Sequence, residues 1–341
     1  MLPPTGPAFA DASAFDVSVV IATRNRAALL TRALGSVMAQ REVRVQAIVV
    51  DDGSAPDQAR MVQAAVAACG PAAQLLRLPA RDAGHGPSFA RNSAAAQATG
   101  RLLAFLDDDD EWTDPHHLRR SVASLGAWPS GGGGTADVLF GDQRALHPDG
   151  REHTGPLWLR GLDTRLRTLP DAQGAREADV RSLLAAGGMC HLNTVVMRRH
   201  FFQTLGGFDE RLRYEEDRDL CLRAIDAAQR MLFQPALIGV HHIPDRTQRQ
   251  NVTTAMADHD KRLAQLLLLE KAQLTCRQSV CRRYARVAKG QVLKHLAVSM
   301  AQAQRPRDAQ AYRLQALGLD FSLKWLAYTA LGALRTIGSS T

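Results

Sequence analysis

The first 110 residues alternate short apolar runs with longer stretches in which apolar residues recur at helical spacing. The short runs are residues 17–22, 45–50, 75–78 and 101–106, which are rich in the Val, Ile and Leu of buried strands. Residues at helical spacing predict helices over 28–40 and 88–99, among others. Repeated alternation of strand and helix predicts an α/β fold with a Rossmann-like, mostly parallel sheet flanked by helices.

Three of the predicted strands end in polar clusters, at residues 23–26, 51–54 and 107–110. Parallel strands bring their carboxyl ends to one edge of a sheet, and open α/β sheets bind ligands beyond that edge. We therefore expect the three clusters to come together in one site.

The most unusual cluster is the run of five adjacent acids at residues 107–111. Their mutual repulsion favours a bound Mg²⁺ or Mn²⁺, which prefers carboxylate oxygen and often bridges to a phosphate. Continued strand alternation would place Asp107 and Asp109 on one side and Asp108 and Asp110 on the other. The alternative interpretation is a solvated acidic loop that caps the following helix.

A second acidic segment, Asp51-Asp52-Gly53-Ser54, is typical of a turn with a helix cap. Because it ends the neighbouring strand, Asp52 can instead accept hydrogen bonds from a base or a ribose. Both interpretations stay open at this point.

The third acidic segment precedes a helix predicted over residues 217–230. Glu216 and Asp217 can compensate the helix dipole, or one of them can serve as a general base. Further along, His241 and His242 end a strand predicted at residues 237–240. The two histidines are either structural or ligands of a metal or phosphate.

The middle of the chain, residues 126–186, is loop-rich, with a Gly131–134 run that predicts a hinge or surface loop. One strand is predicted within this region, at residues 138–140, and another after it, at residues 193–197. Residues 1–14 lack a cationic start and an apolar stretch of signal-peptide length and are expected to be disordered.

Composition excludes several classes of protein. An apolar fraction of 45% excludes a disordered chain, and five scattered cysteines without a CxxC pair are typical of reduced thiols in a cytoplasm. The net charge of +8 arises in residues 256–341, which carry fourteen Lys and Arg against five Asp and Glu. Since this charge lies outside the predicted site, nucleic acid is not expected as a partner.

The basic residues 256–341 have a helical pattern and no apolar run long enough to cross a bilayer. They are interpreted either as a solvated helical extension or as a peripheral attachment to the cytoplasmic face of an anionic membrane. The residues expected to insert are the apolar and aromatic ones near the end of the chain, namely Leu323, Trp325, Leu326, Tyr328 and Leu331.

Five segments in order resemble the family-2 glycosyltransferases with the GT-A fold. They are VSVVIATRNR, VVDDGS, ARNSAAAQATGRLLAFLDDDDEW, NTVVMRRHFFQTLGGFDE and EEDRDLCLR, within residues 15–242. Each segment is weakly specific by itself, whereas the set in this order is highly specific. The resemblance implies a catalytic domain over residues 15–255, with a nucleotide half (15–125) and an acceptor half (126–255), followed by the helical extension.

The resemblance also implies roles for individual residues. The base would be Asp217 with Glu216 in the acceptor region, and the metal ligands would be Asp109 and His242, with His241 as the less favoured choice. Donor contacts would come from the ends of the early strands and the helix before the acidic run, namely Thr23, Arg24, Asp52, Arg91, Asp107 and Asp108. Arg24 stands where many members have Tyr, which weakens the expectation of stacking on the base.

The implied reaction moves a sugar from a nucleotide-diphosphate donor to a hydroxyl of a saccharide or lipid-linked saccharide, with inversion and with Mg²⁺ or Mn²⁺ at the leaving diphosphate. The implied setting is synthesis of a surface polysaccharide or glycolipid. Two alternatives stay open: an Asp-dependent phosphotransferase or phosphatase with Asp107 as nucleophile, and a non-catalytic membrane-associated scaffold. A dinucleotide oxidoreductase is disfavoured because residues 84–89 lack the third glycine of the fingerprint.

Overall fold

The computed structural model describes residues 14–126, 135–155, 157–159, 161–245, 247 and 252–338. The strands are β1 (Val17–Thr23), β2 (Val45–Asp51), β3 (Ala73–Arg77), β4 (Leu102–Phe105), β5 (Glu111–Trp112), β6 (Val138–Leu146), β7 (Arg176–Ala178), β8 (Val195–Arg198) and β9 (Met231–His242). The expected disorder of residues 1–14 and the loop at 131–134 lie outside the described residues, apart from residue 14.

The helices alternate with the strands in the first half of the chain and dominate its end. They are α1 (Ala27–Met38), α2 (Pro56–Ala68), α3 (Pro87–Ala95), α4 (His117–Gly126), α5 (Val180–Ala185), α6 (Arg199–Thr204), α7 (Glu216–Ala227), α8 (Val252–Ala255), α9 (Asp258–Thr275), α10 (Ser279–Gln302), α11 (Pro306–Leu319) and α12 (Leu323–Gly338). The predicted α/β order and the helical end of the chain are confirmed.

The strands of the described residues form one sheet in the order β3-β2-β1-β4-β8-β6-β9-β5, with β7 also paired to β9. The first four strands are parallel, as predicted, because each is joined to the next by a crossover helix. The second half is mixed: β8 runs antiparallel to β4 and β6, whereas β6 and β9 are parallel.

Helices cover both faces of this sheet because its central strands are apolar on both sides. In β1, Val19 and Ile21 pack with α1, whereas Val20 packs in the opposite layer with residues of α3. All three side chains are almost fully buried. Burial on both faces explains why these strands are continuous apolar runs rather than alternating ones.

The helical extension shares the core of the α/β part. Leu268 and Leu269 of α9 and Leu293 of α10 belong to the same buried cluster as Phe105 of β4. The segment therefore packs on the sheet layer instead of forming a core of its own. Among the described residues, no helix has the length and apolar character that crossing a bilayer requires.

The aromatic residues near the chain end do not all face outward as predicted. Trp325 packs against the core cluster and donates through Nε1 to the Arg313 carbonyl at 3.1 Å. Tyr328 lies under the Arg313 guanidinium, 4.5 Å from its ring centroid. Leu323, in contrast, is 76% exposed. Trp325 and Tyr328 of α12 thus pack against α11 and Leu323 stays exposed, and insertion of these residues into a membrane stays a prediction.

Candidate active site

The three predicted polar clusters do converge. A cavity of about 1150 Å³ opens at the carboxyl ends of β1, β2 and β4, and Thr23, Asp52 and Asp107 all line it. Asp217 of α7 and His241 of β9 line the same cavity. Residues far apart in the chain, from Thr23 to His241, thus line one cleft, at the strand edge where a parallel sheet binds ligands.

The acidic run forms a turn rather than a continuation of β4. The strand ends at Phe105, and the amide of Asp110 donates to the carbonyl of Asp107 at 3.2 Å. As a result, carboxylate oxygens of Asp107, Asp109 and Asp110 lie within 4.8 Å of one another. The predicted alternation of sides is wrong, since a turn does not preserve the two-residue period of a strand.

Asp108 points away from the other acids into the protein. Its side chain is fully buried, accepts a hydrogen bond from Thr23 Oγ1 at 2.6 Å, and pairs with Arg26. Burial raises the pKa of Asp108 to about 7. Asp108 therefore fixes Thr23 and Arg26 at the end of β1.

Arg26 lies in the predicted polar cluster at residues 23–26, but the sequence analysis gave it no role of its own. Its Nη1 lies 2.8 Å from Asp109 Oδ2, and its other nitrogens pair with Asp108. The guanidinium supplies part of the counter-charge that the acidic turn needs. A basic residue at the end of β1, beside a predicted acidic cluster, was the available signal.

Two histidines extend the acidic cluster. His241 Nδ1 lies 2.9 Å from Asp110 Oδ2, and ligand atoms of Asp110, His191 and His241 lie within 4.8 Å of one another. Burial lowers the pKa of His191 to about 4, so this imidazole is neutral and can act as a metal ligand. Although burial opposes it, the Asp110 carboxylate raises the pKa of His241.

His242 lies outside this cluster. Its ring nitrogen Nε2 is 3.2 Å from Glu111 Oε1, and only its backbone amide contacts Asp110. Successive side chains on a strand point to opposite faces, so one of the two histidines had to turn away. The geometry favours His241 over His242 as a ligand.

The donor set fits a hard divalent cation. Ligand atoms lie within 4.8 Å of one another in two groups that share Asp110, one with Asp107 and Asp109 and the other with His191 and His241. Arg26 and Arg91 are the cations beside them. Oxygen-rich sites of this kind suit Mg²⁺ and Mn²⁺. The residues that could hold the ion are Asp107, Asp109 and Asp110 of the acidic turn, with His191 and His241 beside Asp110.

Asp52 supports the loop that forms the rim of the cleft. Its carboxylate accepts hydrogen bonds from the backbone amides of His85 and Gly86 and lies 2.8 Å from the Nδ1 atom of His85. Gly84 has φ +63°, and a Cβ there would lie 2.5 Å from Asp52 Oδ2. Arg24 donates to the carbonyls of Arg81 and Asp82 in the same loop. Asp52 and Arg24 line the cavity, as predicted, and both also hold the loop that forms its rim.

The acids at the start of α7 occupy different environments. Burial, followed by the charges of Glu216 and Glu215, raises the pKa of Asp217 to about 7. Glu216 is instead paired with Arg91, whose Nη1 lies 2.7 Å from its Oε1. Asp217 is therefore suited to taking up a proton near neutral pH, whereas Glu216 is held as an ion pair.

Comparison with known proteins agrees with this architecture. TarS of S. aureus, solved with UDP-GlcNAc, superposes with a TM-score of 0.64 at 18% identity, over 93% of this chain and 88% of that one. The mannosyltransferase PcManGT of Pyrobaculum calidifontis, solved with GDP-Man and Mn²⁺, gives a TM-score of 0.56 at 19% identity, over 96% and 81%. The fold is that of the GT-A glycosyltransferases.

Sequence comparison adds the family. Residues 18–176 match the model of glycosyl transferase family 2. The succinoglycan biosynthesis protein ExoO of Rhizobium meliloti (strain 1021) is 30% identical over 230 residues, 67% of this chain and 61% of that protein. The pre-mycofactocin glycosyltransferase of Mycobacterium tuberculosis (strain ATCC 25618 / H37Rv) is 30% identical over 70% of this chain and 44% of its own length. This chain belongs to glycosyl transferase family 2, and it spans less than two thirds of these relatives.

Proposed function

We propose that this protein transfers a sugar from a nucleotide-diphosphate donor to an acceptor hydroxyl, with inversion, in the synthesis of a surface polysaccharide or glycolipid. The observation that carries the proposal is the convergence of the acidic turn and Asp217 on one cleft. Relatives named for succinoglycan and O-antigen biosynthesis support the setting.

On the donor side, Thr23, Arg24 and Asp52 would hold the nucleotide at the rim, with Asp52 acting largely through the loop at residues 84–86. Asp107 and Asp109, which line the cavity in the acidic turn, would face the donor diphosphate, and Asp108 holds Thr23 in place. A divalent cation held by this turn would stabilise the charge that develops on the leaving diphosphate. A metal site is expected at Asp109 with His241 in place of His242.

On the acceptor side, Asp217 would take the proton from the attacking hydroxyl, and Glu216 would stay paired with Arg91 beside it. Attack on the anomeric carbon from the side opposite the leaving diphosphate inverts the configuration in one displacement. A carboxylate with a pKa of about 7 is half deprotonated at neutral pH, which suits a general base.

Screening sugar nucleotides for Mn²⁺-dependent hydrolysis and transfer tests this function. We expect at least one UDP- or GDP-sugar to release its nucleotide diphosphate, and the anomeric configuration of the transferred sugar to be inverted by NMR. Release of inorganic phosphate from simple phosphoesters, without sugar-nucleotide turnover, would favour the phosphatase alternative. Absence of both activities, with vesicle binding retained, would favour the scaffold.

We further propose that the protein attaches to an anionic membrane surface through the elbow between α11 and α12, residues 318–326. Phe321, Leu323 and Leu326 are 63%, 76% and 41% exposed there. Lys324 is exposed beside them, and the Arg286 guanidinium reaches the elbow through its hydrogen bond to the Gly318 carbonyl at 2.8 Å. Exposed apolar side chains flanked by cations are typical of peripheral attachment to acidic lipids.

Serine substitutions at the elbow test this attachment. We expect Phe321→Ser with Leu323→Ser to lower binding to phosphatidylglycerol vesicles by about tenfold or more, since burying one such side chain contributes about 1.5–3 kcal/mol. Donor hydrolysis should be unchanged. Leu274→Ser removes an equally exposed leucine (76%) from α9 and is the matched control. Equal vesicle binding by all three proteins, or equal binding to neutral vesicles, would refute the attachment.

A further inference from the structure

Arg91 joins the two halves of the candidate site. It lies on α3, its side chain is 11% exposed, and its guanidinium uses two different nitrogens for two carboxylates. Nη2 lies 2.7 Å from Asp107 Oδ1 in the acidic turn, and Nη1 lies 2.7 Å from Glu216 Oε1 at the start of α7. One side chain thus connects the end of β4 to the helix that carries Asp217.

The helix that carries Arg91 is firmly placed. Ala90 and Ala94 bury one face of α3 against the sheet. The neighbouring Asn92 holds the chain ahead of α7 by accepting from the Phe208 amide and donating to the Phe208 carbonyl, both at 2.9 Å. Packing therefore holds the backbone of Arg91 in place, and its ion pair with Glu216 fixes the start of α7 relative to the acidic turn.

Among the charged groups around Asp217, Arg91 is the cation that pairs with Glu216. Glu215, the other acid beside Asp217, is already paired with Arg218 at 2.9 Å and with Gln265. Cys190 and Tyr214 are also in electrostatic contact with Asp217, which helps to raise their pKa values. The charge of Glu216 raises the pKa of Asp217, whereas the charge of Arg91 lowers it.

We propose that Arg91 is a positioning residue: it ties α7 to the acidic turn, and by neutralising Glu216 it sets the pH range in which Asp217 accepts a proton. This inference rests on the proposed role of Asp217. It assigns to Arg91 a function in the acid–base step, in addition to its place beside the donor. Without the guanidinium, the Glu216 charge would act on Asp217 with less compensation, and Asp217 would hold its proton to higher pH.

The pH dependence of kcat/KM in the wild type, two single variants and the double variant tests the proposal. In the wild type we expect the acidic limb of kcat/KM near pH 7. Arg91→Gln should move this limb up by about one pH unit, because an uncompensated like charge raises a neighbouring carboxyl pKa by that order. Glu216→Gln should move it down, and the double variant should return it towards the wild-type position. A purely structural role would lower kcat without moving the limb.

Two further variants separate charge from packing. Arg91→Lys keeps the positive charge but loses the two separate nitrogens that pair with Asp107 and Glu216. We therefore expect a lower kcat and an unshifted acidic limb of kcat/KM. Arg223→Gln removes the guanidinium that pairs with Asp219 at 2.7 Å on the same helix and should leave the limb in place. Thermal unfolding of each variant identifies those that do not fold.

A second readout does not depend on turnover. Carboxyl ¹³C NMR, with the Asp217 signal assigned by its loss in Asp217→Asn, follows the same proton directly and should report the same order of shifts. An unshifted Asp217 titration in Arg91→Gln refutes the role of Arg91 alone. An inactive wild type, or an Asp217→Asn variant with wild-type activity, refutes instead the proposed function on which it rests.

Discussion

Asp217→Asn is expected to lower kcat for sugar transfer about 10²–10⁴-fold, the contribution typical of a general base. The Asn side chain keeps the size of Asp but cannot take up the proton of the attacking hydroxyl. KM for the donor should change little, because the acidic turn and the rim loop are untouched. Steady-state kinetics with the donor found by screening measures both constants.

The pH dependence provides a second signature of the same residue. Burial and the neighbouring acids raise the pKa of Asp217 to about 7, so the base is protonated and inactive below that pH. Wild-type kcat/KM should therefore rise as pH increases through 7, and the residual activity of Asp217→Asn should lose this rise. The matched control is Asp57→Asn, at an aspartate whose side chain is 85% exposed. A variant at Asp217 that behaves like this control would contradict the assignment.

Asp109→Asn is expected to remove most of the metal-dependent activity, by about 10²–10³-fold, the loss seen when one group that stabilises transition-state charge is removed. The Asp109 carboxylate is 21% exposed towards the cleft and lies with Asp107 and Asp110 in the acidic turn. One carboxylate fewer weakens the hold on the cation. Titration of donor hydrolysis with Mn²⁺, before and after EDTA, measures the loss.

Thermal unfolding tests the same site without donor. A cation that binds the folded protein raises Tm according to its concentration relative to Kd. We expect Mn²⁺ to raise the Tm of the wild type and of Asp57→Asn, and to raise that of Asp109→Asn much less. An identical Mn²⁺-dependent rise in all three proteins would show that Asp109 does not hold the ion.

Much of the fold could be read from the chain because its strands are buried on both faces. The runs at residues 17–22 and 45–50 have no polar alternation, and the structure places them as central parallel strands. The short strands β5 and β7 escaped prediction, since their two and three residues carry no periodicity of their own. They exist through pairing with β9, which is a tertiary contact.

The site could be predicted at the level of segments more than of single side chains. Parallel topology alone brings Thr23, Asp52 and Asp107 to one edge. The direction of each side chain within a segment depended on local turns. The turn after β4 put Asp110 with Asp107 and sent Asp108 inward.

Sequence by itself determined the order of the long central strands and their helices, the edge at which polar groups gather, and the acids available there, because these follow from apolar periodicity and chain topology. Tertiary structure alone decided which charges meet. Arg26 pairs with Asp109, Arg91 spans from Asp107 to Glu216, and His241 rather than His242 faces the acidic turn. The physical reason is that a side chain's ionic partners depend on directions and distances across the fold, and linear spacing does not encode them.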